Sequence, residues 1–293
     1  MSSALATGTL DAPRATGAEQ PALVRSTAPA RIAARQWGQR LAALAWRVVK
    51  PSVAILAFLA LWEVAPRVGL VDKVFLPPFT EVAATFFELT ANGQLWEHIS
   101  TSLSRALTGF VIAVAIAVPL GVAIAWYRPV ADFLNPVLEL FRNTAALALL
   151  PVFILILGIG ETSKVALVIY ACAFPILLNT ISGVRTVDPL LIKSARSLGF
   201  SQIALVYKVV LPAAVPTIFT GLRMAAASSI LVLIAAEMVG AKAGLGYLIT
   251  AAQLNFQIPD MYAGIIAIAL VGLIFNTVLV FVERRLSSWR VAL

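Results

Sequence analysis

Hydrophobic residues fall into long runs separated by short polar segments over most of the chain. Each run is close to the ~20 residues that a helix needs to cross the hydrocarbon core of a bilayer. A spanning segment must satisfy its backbone hydrogen bonds internally, so each run predicts a helix. The pattern thus predicts an all-α polytopic membrane protein with about six transmembrane helices, near 51–66, 101–126, 143–158, 164–186, 215–240 and 261–282.

The N-terminal part of the chain has a different pattern. Residues 1–30 are rich in Ala, Thr, Ser and Pro without apolar periodicity, which predicts a disordered tail. In 31–50, Trp37, Leu41 and Leu44 share one helical face, and arginines lie on the other sides. This pattern is typical of a basic amphipathic helix that lies in the membrane interface.

Composition and charge support the membrane interpretation. Hydrophobic residues make up 60% of the chain and charged residues 12%, whereas charged residues are about a quarter of a soluble domain. The net charge of +8 does not indicate nucleic acid, because the basic residues flank hydrophobic runs and form no stripe interleaved with aromatics. Most of the 22 Lys and Arg lie on the cytoplasmic side if both termini are cytoplasmic, and the positive-inside rule favours that orientation.

The segment 188–212 is the only long polar segment that reads as two short helices. Asp188 can cap a first helix, and Gly199 suits the left-handed position that ends it. Ser201 can cap a second helix, and Pro212 is expected to stop it. On the first helix Leu191, Ala195 and Leu198 fall on one stripe. Such a small unit cannot bury an apolar stripe alone, so we expect it to dock into a partner on the cytoplasmic side.

The motifs of several other functions are missing from the sequence. No G-x-x-x-x-G-K-[ST] occurs, so the chain is not expected to bind ATP itself. Its one cysteine, Cys172, lies in an apolar run and is expected to be a packing residue. The one histidine, His98, is far from Cys172 in the sequence, so catalysis on either residue has little support, and a cysteine-based metal site is not expected. The sequence therefore favours a transport protein over an enzyme.

The spacing of the cytoplasmic segment resembles a known motif. Lys193-Ser194-Ala195, then Gly199, then Val209-x-Leu211-Pro212 matches the EAA loop of ABC-importer permeases, E-A-A-x3-G-x9-I-x-L-P. Further stretches resemble the nitrate, sulfonate, taurine and bicarbonate group of these permeases; they lie at 158–164, 211–225, 235–249 and 284–289.

The resemblance implies a fold, a location and partners. It implies a type I ABC-importer transmembrane domain over 51–293, in a bacterial cytoplasmic membrane. Two copies would form the pathway, two separate ATPase subunits would bind ATP and Mg²⁺, and a periplasmic binding protein would deliver the solute. The loop 188–212 would act as a coupling helix in a groove of the ATPase. The residues implied in that contact are Lys193, Ser194, Ala195, Leu198, Gly199, Phe200, Leu211 and Pro212.

Two departures from the family pattern affect these expectations. Lys193 and Ser194 stand where the motif has Glu and Ala, and we expect coupling to survive this change. The third run reads Arg142-N-T-A-A-L-A-L-L-Pro151, where the group commonly has R-P-x-P-P-L-A-x-x-P. The replaced prolines at 143–146 indicate that the backbone and the lining of the pathway can differ here.

Several polar or helix-bending residues inside the runs are candidates for the pathway. Glu237 can serve as an outer gate or a contact of the binding protein, or it can form a structural pair with Arg105 or Lys242. Small residues in the fifth run can serve helix packing, or their hydroxyls can contact a solute. The candidates are Pro151, Asn179, Ser228, Ser229 and Glu237.

The solute is predicted only as a class. The resemblance favours a small anion, with an alkyl sulfonate or taurine first and nitrate, bicarbonate, an aromatic carboxylate or a vitamin precursor as alternatives. No ring of Arg or Lys occurs in the runs. A different class, a secondary transporter driven by an ion gradient, would need midplane carboxylates or inverted repeats with broken helices, and the sequence has neither.

Overall fold

The computed structural model describes residues 53–286, and all regular structure in that range is helical. The chain divides into two units, Met1–Phe58 and Leu59–Leu293, and apart from the start of α1 the features described below lie in the second. The predicted tail (1–30) and interfacial helix (31–50) lie outside the described residues. The helices are α1 (53–67), α2 (Phe79–Ala91), α3 (Gln94–Trp126), α4 (Arg128–Arg142), α5 (Leu150–Leu157), α6 (Glu161–Arg185), α7 (Pro189–Ser197), α8 (Gln202–Leu205), α9 (Leu211–Glu237), α10 (Leu245–Leu254) and α11 (Ile258–Leu286).

Four helices among residues 53–286 are long and apolar enough to cross a membrane by themselves. They are α3, α6, the continuous helix Gln202–Glu237 that contains α8 and α9, and α11. These four correspond to the predicted runs 101–126, 164–186, 215–240 and 261–282. The described part of the first predicted run belongs to α1. The hydrophobic pattern therefore located the main spanning helices correctly.

The third predicted span, 143–158, does not form a spanning helix by itself, because it contains only the four-residue 3₁₀ turn Ala146–Leu149 and the eight-residue α5. This short helical segment is bent by 88° from α4, which ends at Arg142, immediately before the predicted span. Asn143 and Thr144 bind backbone carbonyls of the preceding turn, at 2.7 and 3.2 Å. Such local side-chain bonds offer the backbone an alternative to continuing the helix. The bend forms although no proline lies between Arg142 and Leu150.

Helix α6 lies at the centre of the fold, packed against α3 on one side and α9 on the other. Small residues at these crossings let the backbones approach closely, as is usual between helices in a membrane. At Gly221 of α9 an added Cβ would lie 2.6 Å from the Cβ of Asn179 on α6, so only glycine fits there. Cys172 is fully buried in this core, with its Sγ 3.4 Å from the carbonyl oxygen of Ala225. Its prediction as a packing residue is confirmed.

Three helices were not predicted from the hydrophobic pattern. They are α2, α4 and the apolar but short α10. Each is under the ~20 residues that a span requires, so a search for long runs does not detect it.

Candidate functional site

The segment between α6 and α9 begins with a capped helix and a left-handed glycine, as its sequence predicts. Asp188 accepts a hydrogen bond from the backbone N–H of Leu190 at 2.8 Å, which caps α7. Gly199 has a φ of +78°, in the region that favours glycine. The N–H of Phe200 reaches back to the carbonyl of Ala195 at 3.2 Å, which is the long bond of a Schellman motif. The end of α7 is therefore fixed by its own sequence.

The second short helix starts as predicted but does not stop as predicted. Ser201 accepts a hydrogen bond from the N–H of Ala204 at 3.3 Å and caps α8. The chain then stays helical through a π-helical turn at Val206–Val210 and runs on through Pro212 into α9. A proline in an α-helix crowds the carbonyl four residues earlier, here that of Lys208. The wider π turn immediately before α9 removes that α-helical spacing, so Pro212 does not end the helix.

The segment α7–α8 buries one side and leaves apolar side chains on the other. Ala195 is buried against the central hydrophobic core. Leu190 and Leu198 are 67% and 76% exposed, and Ile203 on α8 is 76% exposed. The predicted stripe is thus divided, because Leu191 and Leu198 point outward and Ala195 points inward. We call the exposed group, Leu190, Leu191, Leu198 and Ile203, the loop surface.

The eight residues implied as ATPase contacts differ in exposure. The exposed ones are Lys193, Ser194, Leu198 and Gly199. Those that are half-buried and pack on the molecule's own core are Phe200, Leu211 and Pro212, whereas Ala195 is buried. Some of the eight residues are therefore on the surface, and the others help to hold the α7–α8 segment against α9. Their contact with an ATPase stays a prediction.

A cluster of charged side chains lies where α3, α6 and α9 meet the start of α10, and all of it is buried except Glu161, whose side chain is 66% exposed. Glu237 is 1% exposed and Arg105 6% exposed. The Nη1 of Arg105 donates to Glu237 at 2.7 Å, and its Nη2 donates to Glu161 at 2.5 Å. The Ser102 hydroxyl lies 2.8 Å from both carboxylate oxygens of Glu237, and the N–H of Gly246 donates to the same carboxylate at 3.0 Å. We call these residues the ion-pair cluster.

The ion-pair cluster contains the hydrogen-bond partners of Glu237. Arg105 is one of the two partners that the sequence suggested, whereas Lys242 is exposed. Both carboxylate oxygens of Glu237 are paired inside the protein, which supports a structural role; its roles as a gate or as a contact of the binding protein stay predictions. Glu161 was not predicted as a partner of Arg105, because it lies 56 positions away and follows no local pattern with it.

Two other pathway candidates meet at a cavity of ≈ 360 Å³. This cavity lies between the α4–α5 bend and the middle parts of α6 and α9, and Asn179 and Ser228 line it. We call it the central cavity. Its lining residues are Arg142, Thr144, Ala146, Tyr170, Ala171, Phe174, Pro175, Leu178, Asn179, Met224, Ser228 and Val232.

The remaining candidates do not line the central cavity. Pro151 is exposed at the start of α5. Ser229 is fully buried, and its hydroxyl donates to the carbonyl of Ala226 at 2.7 Å, as the packing alternative requires. Glu237 belongs to the ion-pair cluster. The structure therefore brings together two of the five candidates, and it adds Arg142, which sequence analysis did not select as a site residue.

Comparison with known proteins identifies the family. Residues 117–290 match the family described as binding-protein-dependent transport system inner membrane component. The putative aliphatic sulfonates transport permease protein SsuC of Bacillus subtilis is 35% identical over 232 residues, which are 79% of this chain and 84% of that protein. The chain belongs to this family. Within it, the taurine transport system permease protein TauC of Escherichia coli is 33% identical over 83% of this chain and 90% of that protein. The bicarbonate transport system permease protein CmpB of Synechococcus elongatus is 29% identical, over 85% and 92%.

Solved structures agree with this membership at the level of the fold. The inward-facing MetNI methionine ABC transporter matches with a TM-score of 0.52 and 20% identity, over 66% of this chain and 94% of that chain. The predicted ABC-importer transmembrane fold is therefore confirmed. As a member of this family, the chain is an inner-membrane transport subunit and not an enzyme, which confirms that prediction as well.

Proposed function

We propose that this chain forms the translocation pathway of an ATP-driven importer for a small organic anion, with an alkyl sulfonate or taurine as the first candidates. Two copies would line the pathway, and two ATPase subunits that bind ATP and Mg²⁺ would receive the α7–α8 segments. A periplasmic binding protein would deliver the solute. Family membership and the names of the sulfonate and taurine relatives support this proposal. Nitrate, bicarbonate, an aromatic carboxylate or a vitamin precursor are the alternatives for the same machinery.

The loop surface is the observation that carries the coupling role. Leu190 and Leu198 stay largely exposed on a helix whose two ends are fixed by Asp188 and Gly199. Fully burying a leucine side chain contributes about 1.5–3 kcal/mol, so covering these side chains with a partner groove is favourable. An amphipathic helix in an apolar groove is a common mode of recognition between proteins.

The backbone offers a direct mechanical route from the loop surface to the pathway. The segment from Gln202 to Glu237 is one continuous helix, and its middle part forms a wall of the central cavity. A displacement of α7 and α8 by the ATPase would therefore tilt that wall. Closing of the ATPase subunits around ATP would favour one orientation of the wall, and their opening would favour the other.

The test replaces Gly199, whose left-handed backbone ends α7. An L-residue in this conformation costs roughly 1–2 kcal/mol, while Asn tolerates it better. An added Cβ at Gly199 meets no atom within 4 Å, so backbone strain is the main effect of a substitution. We expect Gly199→Val to lose solute uptake in liposomes that contain the chain, its ATPase and its binding protein, and we expect Gly199→Asn to keep most of it.

ATP hydrolysis separates the possible outcomes of this test. Coupling through the segment predicts that Gly199→Val loses the stimulation of ATP hydrolysis by loaded binding protein, with the amount of chain in the membrane unchanged. Uptake in Gly199→Val equal to that of the native chain would refute the coupling role. Uptake by the chain alone, driven by an ion gradient without any ATPase, would place the protein among secondary transporters.

A further inference from the structure

The bend between α4 and α5 places irregular backbone beside the middle of two spanning helices. Non-helical backbone at membrane depth is tolerated only where protein covers it or where it lines a water-filled cavity. The residues at this bend, Arg142 and Thr144, line the central cavity together with Tyr170 to Asn179 of α6 and Met224 to Val232 of α9. The bend is therefore explained if the central cavity holds water and a polar solute.

The charge of the cavity lining favours a negatively charged solute. Arg142 contributes a positive charge, and no carboxylate is among the lining residues in the described part of the chain. The guanidinium is paired at 3.0 Å with Glu139, one turn earlier on α4, but the two side chains are 46% and 62% exposed. Such exposed pairs are worth about 0–1 kcal/mol, so an incoming anion can replace this partner at little cost.

Uncharged donors lie around the same cavity. Thr144 carries a hydroxyl next to Arg142, and its present bond to a backbone carbonyl is long, at 3.2 Å. Across the cavity the half-buried hydroxyl of Ser228 has no partner within residues 53–286. Tyr170 is different, because its hydroxyl is held by the carbonyl of Phe141 at 2.9 Å. The guanidinium of Arg142 and the adjacent hydroxyl of Thr144 are donors of the kind that bind the oxygens of a sulfonate group, and Ser228 faces them from α9.

The rest of the lining favours a carbon chain attached to the anion. Phe174 packs edge-on against Tyr170 with ring centroids 5.4 Å apart, and Met224 lies on the facing helix. A bare inorganic anion such as nitrate gains nothing from these apolar surfaces. The volume of ≈ 360 Å³ is at the small end of the ~300–1,000 Å³ found for ligand pockets, which suits a small solute.

We propose that the central cavity binds a short alkanesulfonate, with its sulfonate on Arg142 and its carbon chain against Phe174. This proposal rests on the proposed function and names the site and the preferred solute within it. It further predicts that ethanesulfonate binds better than nitrate, which has no carbon chain to contact Phe174. Taurine has the same carbon skeleton plus an ammonium group, and Glu139 beside Arg142 is a charged partner for that group.

The experiment measures how strongly a bound solute protects a single reporter cysteine from alkylation. The native Cys172 is fully buried, so Ser228→Cys provides the one accessible thiol among the described residues. The alkylation rate of this variant by a small maleimide is measured in the purified full-length chain against ethanesulfonate, taurine, nitrate and ethylammonium. We expect ethanesulfonate and taurine to slow alkylation at lower concentrations than nitrate, and ethylammonium to have no effect.

Two arginine variants of α4 test the contact between Arg142 and the sulfonate. A hydrogen bond to a charged group contributes about 1.5–3 kcal/mol, so Arg142→Gln should raise the half-protecting concentration about 10- to 100-fold. Arg128→Gln, at the exposed start of α4 and outside the lining, should leave it unchanged. If Ser228→Cys does not fold, as judged by gel filtration, Asn179→Cys reports on the same cavity.

The outcomes separate this proposal from the coupling mechanism. Protection of equal strength in Arg142→Gln, or no protection by ethanesulfonate, would overturn the proposed site. Protection by nitrate or ethylammonium as strong as by ethanesulfonate would do the same. Because labelling is done without ATP or the ATPase, failure here leaves the Gly199 result standing, and failure of the Gly199 test leaves the labelling result standing.

Discussion

Removal of the Glu237 carboxylate is the sharpest test of how α3, α9 and the start of α10 are held together. The carboxylate is 1% exposed and accepts hydrogen bonds from Arg105, Ser102 and Gly246. In Glu237→Ala the last two groups lose this buried acceptor, and Arg105 keeps Glu161 and the carbonyl of Ala243. The loss therefore affects α3, α9 and the start of α10 at once.

The magnitude follows from these contacts. Removing one partner of a buried ion pair typically costs about 3–5 kcal/mol, because the remaining charge stays buried without its counterion. Arg105 retains Glu161, so we expect the low end of that range, about 3 kcal/mol, for Glu237→Ala. The matched control is Glu139→Ala, which breaks the exposed pair with Arg142 and should cost about 0–1 kcal/mol.

The assay is the free energy of unfolding of the purified chain in detergent, followed by tryptophan fluorescence during denaturant titration. A difference between Glu237→Ala and Glu139→Ala of under 1 kcal/mol would refute the structural interpretation of the ion-pair cluster. The double variant Arg105→Met/Glu237→Leu should recover part of the loss, since replacing both members of a buried pair by apolar residues is often neutral. Native stability combined with lost transport in Glu237→Ala would instead support the gate interpretation.

Two further predictions concern the packed core. Gly221→Val should lower the free energy of unfolding by about 1–3 kcal/mol, because its Cβ would lie 2.6 Å from Asn179; Gly272→Ala is the control, with its nearest neighbour, Ile230, at 3.8 Å. Equal unfolding midpoints for the two variants would contradict the close approach of α6 and α9. Cys172 should resist maleimide in the native chain and react fully after denaturation, as followed by mass spectrometry, and rapid native labelling would show that this core is open to reagent.

Local patterns in the sequence determined most of the fold class. A run of apolar residues long enough to cross a bilayer has few structural alternatives, so α3, α6, α9 and α11 could be located from hydropathy. The caps at Asp188 and Ser201 and the left-handed Gly199 were also predictable, because each depends only on neighbours within a few positions. The motif spacing in that segment was sufficient to indicate the family that the comparisons established.

The tertiary structure decided where helices continue or bend and which distant residues come into contact. Pro212 suggested a helix end, but the preceding π turn lets the chain continue, and this depends on backbone geometry that residue types alone do not specify. The bend after Arg142 was not predicted, because the helix before it, α4, is too short to be detected as a span, so the run 143–158 was interpreted without it. The pairing of Glu161 with Arg105 and the meeting of Asn179 with Ser228 join distant segments, so only the packing of α3, α6 and α9 could bring them together.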